Sequence, residues 1–190
     1  MKQALEQHIS KFIQLPEEVQ EEVLSRFEPV TVRKKQLLVE AGKRCTHFYF
    51  VSKGCLRLYL QEESAEHTIQ FAIENWWMTD IDAFSAGRNA SFFVQAVETS
   101  ELLSISKTGF DALLAEFPSM EKYFRMIYQR AYAAALFRIH YIFRLSKEEL
   151  YDNFASQYPE FLQRIPQKIL ASFLGFSPEY LSELRRKKLS

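Results

Sequence analysis

The C-terminal end of the chain contains residues whose types suit contact with a nucleic-acid duplex. From residue 164 onward the chain has six basic residues and two acidic ones, both glutamates, although the 190-residue chain has zero formal net charge. A local excess of positive charge can face phosphate groups even when the whole chain is neutral. The basic residues are Arg164, Lys168, Arg185, Arg186, Lys187 and Lys188.

The spacing of small and apolar residues in this region predicts a helix-turn-helix. Ala171 is followed four residues later by Gly175 and six residues further on by Leu181. The first position must be small where two helices cross, the second must accept the turn, and the third closes the core. A helix-turn-helix reads base edges with the first half of its second helix, while flanking basic residues hold phosphates.

The second helix carries most of the residues that we expect to contact double-stranded DNA. Ser177 is a good N-cap, and Pro178 suits the first helical position. Glu179 can accept a hydrogen bond from the N4 amino group of cytosine. A solvated, charged end on a two-helix hairpin is the alternative. The predicted contacts are Lys168, Ser177, Pro178, Glu179, Tyr180, Ser182, Glu183, Arg185, Arg186 and Lys187.

The segment from Val30 to Ser106 has an apolar pattern of period two. Leucines at 56, 58 and 60 alternate with Arg57 and Tyr59, and turn signals occur at Gly42, Gly54 and Gly87. Several short strands at this spacing indicate an antiparallel sandwich, roll or barrel.

Helices are predicted on both sides of these strands. Upstream, one predicted helix contains Ile9, and a second begins at Pro16 and ends at Pro29. Downstream, Thr108 is expected to cap a short helix that ends near residue 117. Residues 118–145 then form the longest predicted helix, because 27 residues without Gly or Pro follow Pro118.

The long helix carries two apolar stripes at helical spacing. One contains Met120, Phe124, Ile127, Ala131, Ala134, Tyr141 and Leu145, interrupted by Arg138, and the other contains Tyr128, Tyr132, Ala135, Ile139 and Ile142. One stripe could pack on the β-domain and the other on a second copy of the chain, or both could be buried within one monomer. We assign the dimer interface to Phe124, Ile127, Ala131, Ala134 and Tyr141.

Ser146 and Glu149 have the spacing of a capping box, which predicts a further helix that stops before Pro159. Three parts follow from these elements: strands with flanking helices at 1–117, a long helix at 118–145 and a helical part with the helix-turn-helix at 146–190.

Two stretches of the chain resemble the Crp/Fnr superfamily of transcription regulators. Residues 48–58 (FYFVSKGCLRL) look like its strand, Lys-Gly turn and strand, and residues 170–181 (LASFLGFSPEYL) look like its helix-turn-helix. The resemblance covers the chain from about Gln14 onward. It implies an α+β fold. Residues 1–117 would be a sensor domain with an antiparallel β-roll (a jelly roll of the cyclic-nucleotide-binding type), 118–145 a long dimerisation helix and 146–190 an all-α DNA-binding domain. A homodimer would bind a palindromic operator.

The DNA-binding end departs from the family pattern in two ways. Typical members continue into a β-hairpin wing, whereas no clear wing precedes Ser190 here. The recognition helix of cyclic-AMP-responsive members begins Ser-Arg-Glu, but Pro178 takes the place of that arginine and Glu183 that of a second one. The operator is therefore expected to differ from theirs.

The effector site also departs from the family pattern. Asp80 falls where the ribose-binding glutamate would be, and Ala90 replaces the arginine that holds the cyclic phosphate. Without that guanidinium a phosphodiester would face carboxylates, so the resemblance does not extend to cyclic AMP binding. A pocket for another effector would be lined by Phe71, Trp77, Asp80, Asp82, Phe84, Arg88, Ser91 and Phe93, unless aromatic side chains fill it.

Cofactor chemistry is not predicted. Cys45 and Cys55 are expected to be free thiols, and two thiolates are too few for an iron–sulfur cluster. A metal enzyme of the cupin type needs clustered histidines, but the roll offers only His47 and His67. Haem ligation by one of these or by His140 is an alternative. We expect no metal, no cofactor and no enzymatic activity.

No segment resembles a signal peptide or a membrane span, which predicts a cytoplasmic location. The competing function is a small-molecule sensor that acts through protein partners without binding DNA. It differs from a regulator in predicting no salt-dependent DNA affinity. RNA polymerase and an unidentified small-molecule effector are further candidate partners.

Overall fold

The computed structural model describes residues 1–63 and 65–189. Within them the elements run in the order α1 (Lys2–Ser10), α2 (Glu17–Ser25), β1 (Glu28–Val32), β2 (Leu37–Val39), β3 (His47–Lys53), β4 (Leu56–Glu62), β5 (Ala65–Ala72), β6 (Trp77–Met78), α3 (Ile81–Ala86), β7 (Phe93–Ala96), β8 (Ser100–Ser106), α4 (Lys107–Glu116), α5 (Pro118–Arg144), α6 (Lys147–Gln157), α7 (Pro159–Arg164), α8 (Gln167–Leu174) and α9 (Pro178–Leu189).

The strands form two four-stranded antiparallel sheets, in the orders β1-β8-β3-β6 and β2-β7-β4-β5. This arrangement confirms the predicted β-roll. The turn between β3 and β4 needs a glycine, because Gly54 has a φ of +111° and a Cβ there would lie 2.2 Å from the Ser100 hydroxyl oxygen. The Lys-Gly turn in the sequence is therefore a steric requirement of the roll.

Helices α1 and α5 cover one face of the first sheet, and a chain of hydrogen bonds joins the three. The Trp77 indole N–H donates to the Tyr123 hydroxyl at 2.9 Å, which leaves the hydroxyl proton for His8 Nδ1, 2.8 Å away. Burial, together with the positive charges of Lys11 and Arg130, lowers the pKa of His8 to about 4. The ring is therefore a neutral acceptor in the core.

Several predicted helix ends are confirmed and others are wrong. The capping box of Ser146 and Glu149 is present. Helix α4 is capped by Ser106 rather than Thr108, because β8 runs to Ser106 and its hydroxyl accepts the N–H of Gly109. Helix α2 ends at Ser25, and Pro29 lies in β1, an edge strand that tolerates a missing N–H.

The hydrophobic core has two parts. The larger fills the roll and the space beneath α1, α2, α4 and the start of α5. The smaller joins the C-terminal helices to the second sheet through Cys55, Phe71 and Val97. Helix α7, which the sequence did not predict, contributes Phe161 to it. No helix within residues 1–63 and 65–189 is long and apolar enough to cross a membrane.

Candidate nucleic-acid interface

Helices α8 and α9 form the predicted pair of helices, joined by a tight turn. Ala171 and Leu181 are both fully buried where the helices meet. Gly175 ends α8 in the left-handed conformation, with a φ of 74°. The Ser177 hydroxyl accepts the N–H of Tyr180 at 3.1 Å, as an N-cap does. The predicted turn chemistry is therefore present at each position.

The outward side of α9 is exposed along its length. We call the exposed residues Ser177, Glu179, Ser182, Glu183, Arg186 and Lys187 the α9 ridge. Lys168, at the start of α8, is exposed as well. A groove-binding helix needs such an uncovered side. The side chain of Lys188 lies outside the part of the chain that the structure describes.

The three other predicted contacts, Pro178, Tyr180 and Arg185, are half-buried. The Tyr180 ring packs against Phe176, with centroids 5.3 Å apart. The Arg185 guanidinium donates to the carbonyl oxygen of Leu162 at 3.3 Å. Arg185 therefore helps to hold α9 in place.

Lys147 lies beside this interface, although the sequence analysis did not select it. Its ammonium group is 5.2 Å from the centre of the Tyr180 ring, and the side chain is exposed. A lysine at this place can hold a phosphate group. Sequence reasoning missed it because folding alone brings residues 147 and 180 together.

Arg164, counted with the basic residues in the sequence, is not part of the ridge. Its guanidinium bonds Glu74 at 2.9 Å and also bonds Glu98, and it donates to the Gly54 carbonyl oxygen at 3.0 Å. The hydrogen bond to Glu74 raises the pKa of Arg164 above its ordinary value. The basic surface at α8 and α9 therefore excludes this residue.

Helix α8 also contacts the roll directly, at the edge strand β5. The Ser172 hydroxyl accepts the N–H of Thr68 at 2.8 Å and donates to the Glu66 carbonyl oxygen at 2.6 Å. Arg138 of α5 donates to the Phe173 carbonyl oxygen at 2.8 Å, and its guanidinium lies 4.4 Å from the centre of the Phe173 ring. This position explains why Arg138 interrupts the apolar stripe.

The residues predicted for the dimer interface do not share one exposed face of α5. Phe124 lies in the core, with its ring centroid 4.7 Å from that of Phe110, so it is unavailable to a second chain. Ile127 and Tyr141 are half-buried, and Ala131 and Ala134 are exposed.

Four of the six large exposed apolar residues of α5 follow a different line, which does not include Phe137 and Ile142. Tyr132, Leu136, Ile139 and Phe143 succeed one another at steps of four, three and four, and are 67%, 47%, 50% and 87% exposed. We call them the α5 stripe. Steps of four and three place them on one side of the helix.

The residues predicted for an effector pocket do not line one cavity. Phe71 packs against Phe161 and Phe173 of the C-terminal helices. Phe93 stacks on Tyr59, with centroids 5.1 Å apart. Trp77 and Phe84 instead pack against Phe48 in the larger core.

Three of the four polar members of that predicted pocket, Asp80, Asp82 and Arg88, are paired within the protein. The buried Asp80 carboxylate accepts the N–H groups of Ala83, Ser91 and Phe92 at 3.2, 2.7 and 3.3 Å. Asp82 and Arg88 form an ion pair at the exposed surface, and Ser91 is exposed.

The thiols of Cys45 and Cys55 are free and buried. Burial raises the pKa of Cys55 to about 12 and raises that of Cys45. Among the described residues, no group of three or more His, Cys, Asp or Glu side chains could hold a metal ion.

Comparison with known proteins agrees with this architecture. Residues 29–117 match the cyclic nucleotide-binding domain. No curated protein matches the chain in sequence.

Similar solved structures include a variant of CooA from Carboxydothermus hydrogenoformans (18% identity, 87% of this chain and 78% of that chain, TM-score 0.68). FixK2 from Bradyrhizobium japonicum is similar as well (12% identity, 85% of this chain and 83% of that chain, TM-score 0.70). A third similar structure is that of a protein from Eubacterium rectale described as a transcriptional regulator of the Crp/Fnr family (14% identity, 91% of this chain and 83% of that chain, TM-score 0.71). Residues 29–117 thus resemble a cyclic nucleotide-binding domain, and the chain has the fold of the Crp/Fnr transcription regulators.

Proposed function

We propose that this protein is a DNA-binding transcription regulator that binds a palindromic operator as a homodimer. The observation that carries the proposal is the α9 ridge, an exposed side of a helix-turn-helix second helix that ends in Arg186 and Lys187. Polar side chains in the first half of such a helix can reach base edges, and basic side chains at its end can reach phosphates. Lys168 at the start of α8 and Lys147 beside Tyr180 add two exposed positive charges to this part of the surface.

The α5 stripe supports the homodimer. Four large apolar side chains at coiled-coil spacing are unfavourable in water, and a second copy of α5 offers the same stripe in return. A twofold axis along this stripe would present two α9 ridges, which is the symmetry of a palindromic site.

A small-molecule sensor without DNA binding is the second candidate function. The cyclic nucleotide-binding domain match favours it in part, but the groups around Asp80 are bound to the protein itself. We expect no response to cyclic AMP. A different small-molecule effector and RNA polymerase remain candidate partners of the proposed regulator. A regulator of this kind acts in the cytoplasm, and no enzymatic activity is proposed.

Selection of DNA fragments by the purified protein tests the proposal. We expect the protein to enrich a palindromic sequence from a random pool, and Lys168→Ala with Arg186→Ala to abolish the enrichment. The matched control, Lys34→Ala with Lys122→Ala, removes two exposed lysines elsewhere and should enrich the same sequence. Arg185 is not substituted, because its bond to Leu162 makes a loss of folding hard to separate from a loss of contact. No enrichment by the wild-type protein would contradict DNA binding.

A further inference from the structure

Arg164 joins the DNA-binding end of the chain to three turns of the roll. Gly54 lies between β3 and β4, Glu74 between β5 and β6, and Glu98 between β7 and β8. Arg164 bonds all three. Glu74 is itself held, because it accepts the Gly54 N–H at 2.8 Å. We call this group the Arg164 contact.

The Arg164 contact lies immediately before the helix-turn-helix. Ile165 is buried, Pro166 has a fixed backbone angle, and α8 begins at Gln167. A residue fixed at position 164 therefore fixes the start of α8.

The far end of α8 is attached to the roll at a second place. The Ser172 hydroxyl accepts the N–H of Thr68 and donates to the Glu66 carbonyl oxygen, and Arg138 of α5 donates to the Phe173 carbonyl oxygen. The second attachment, at Ser172, lies roughly 8 Å along α8 from Gln167, at 1.5 Å rise per residue. Because α8 is held near both ends, its direction relative to the roll is fixed. Helix α9 packs on α8 through Ala171 and Leu181, so its direction is fixed as well.

We propose that Arg164 is a positioning residue for DNA recognition: through Glu74, Glu98 and Gly54 it fixes the orientation of the helix-turn-helix on the roll. The inference rests on the proposed function for its DNA readout. With both attachments formed the α9 ridge is exposed, so the attached arrangement leaves it accessible to a duplex. In a dimer, two fixed ridges have a fixed spacing, and DNA binding then need not restrict their motion.

Arg164 has no part in phosphate contact under this proposal, although its charge alone would suggest one. Each phosphate contact adds about one to the slope of log affinity against log salt concentration, whereas a positioning residue leaves that slope unchanged. The slope therefore separates the two roles.

The test compares Arg164→Met with Arg26→Met in the full-length chain. Arg26 is a matched control, because it also bridges two glutamates, Glu22 and Glu116, and its side chain is 32% exposed against 27% for Arg164. The affinity for the enriched fragment is measured over a range of salt concentrations. We expect Arg164→Met to weaken binding about 10-fold with an unchanged slope, Arg164→Lys to recover part of the loss, and Arg26→Met to stay within about twofold.

Two results would overturn the proposal. One is an affinity of Arg164→Met within about twofold of wild type, since orientation would then not depend on Arg164. The other is a slope reduced by about one, which would make Arg164 a phosphate contact.

A further variant and a further readout keep the test decisive. If Arg164→Met does not fold, Ser172→Ala removes the Ser172 hydrogen bonds of the second attachment. Its control is Ser156→Ala, an exposed serine whose hydroxyl donates to the Asn153 carbonyl oxygen. Ser172→Ala should weaken DNA binding at least about threefold, and an unchanged affinity would count against the proposal. Should the wild-type protein bind no DNA, the proposed function fails separately. Hydrogen exchange at the Thr68 amide then tests the attachment, with protection in wild type and Arg26→Met and faster exchange in Arg164→Met and Ser172→Ala.

Discussion

Leu136 and Phe137 are consecutive exposed residues of α5, but only Leu136 belongs to the α5 stripe. An α-helix turns by about 100° per residue, so Phe137 lies about 130° around the helix from the centre of the stripe. Their exposed fractions are similar, 47% for Leu136 and 60% for Phe137. Substitutions at these two residues therefore distinguish an effect on the dimer interface from the effect of changing any exposed apolar side chain.

Leu136→Glu is expected to convert the protein to a monomer. Two facing carboxylates in an apolar seam must be desolvated on association, so the dimer should weaken at least about 100-fold. Sedimentation equilibrium measures the change. Phe137→Glu, with the same charge placed off the stripe, should leave the dimer intact. Equal effects of the two variants would show that the stripe is not the seam.

The buried His8 predicts a loss of stability in mild acid. Its pKa is about 4 in the folded protein against 6.5 ordinarily, so the unfolded chain binds a proton that the folded protein does not. The free energy of unfolding is therefore unaffected above pH 6.5 and falls as the pH drops from 6.5 towards 4, by up to about 3 kcal/mol.

Urea unfolding at a series of pH values measures this effect. His8→Asn keeps an acceptor for Tyr123 without the titration, so its curve should lack the fall seen for wild type between pH 6.5 and about 5. Parallel curves for the two proteins would exclude His8 as the cause.

Asp80 is expected to stabilise the roll and to make it unresponsive to cyclic nucleotides. Asp80→Ala leaves three backbone N–H groups without their acceptor, which should lower Tm by roughly 5–10 °C. Differential scanning calorimetry measures the shift, and Asp82→Ala, which removes an exposed carboxylate from the same helix, should change Tm by under about 2 °C. A rise in the Tm of the wild-type protein with cyclic AMP would contradict the assignment of Asp80 as a filled, structural acceptor.

Much of the fold could be predicted because its signals are local. The alternation around Leu56 and Leu58, the glycine at 54 and the capping box at Ser146 each act over a few residues, and each appears where it was expected. The helix-turn-helix belongs to the same group, since Ala171, Gly175 and Leu181 meet constraints set within one short segment.

The parts that failed depend on contacts between distant segments. Phe124 and Leu136 are both apolar residues at helical spacing, and only the packing of α5 on the roll decides which is buried. Arg164 has the same charge as Arg186, but Glu74 and Glu98 are brought to it by turns far away in sequence. Phe71 and Trp77 lie on strands β5 and β6, which are consecutive along the chain but belong to different sheets. An alternation pattern does not specify to which sheet a strand belongs.

The salt dependence of DNA affinity is the most direct measurement of the central claim, that the α9 ridge contacts a duplex. Fluorescence anisotropy with the enriched fragment should give a linear fall of log affinity with log salt concentration for the wild-type protein. Arg186→Ala should reduce the slope by about one, and the control Lys34→Ala should leave it unchanged. An affinity independent of salt, or equal slopes for wild type and Arg186→Ala, would contradict the claim.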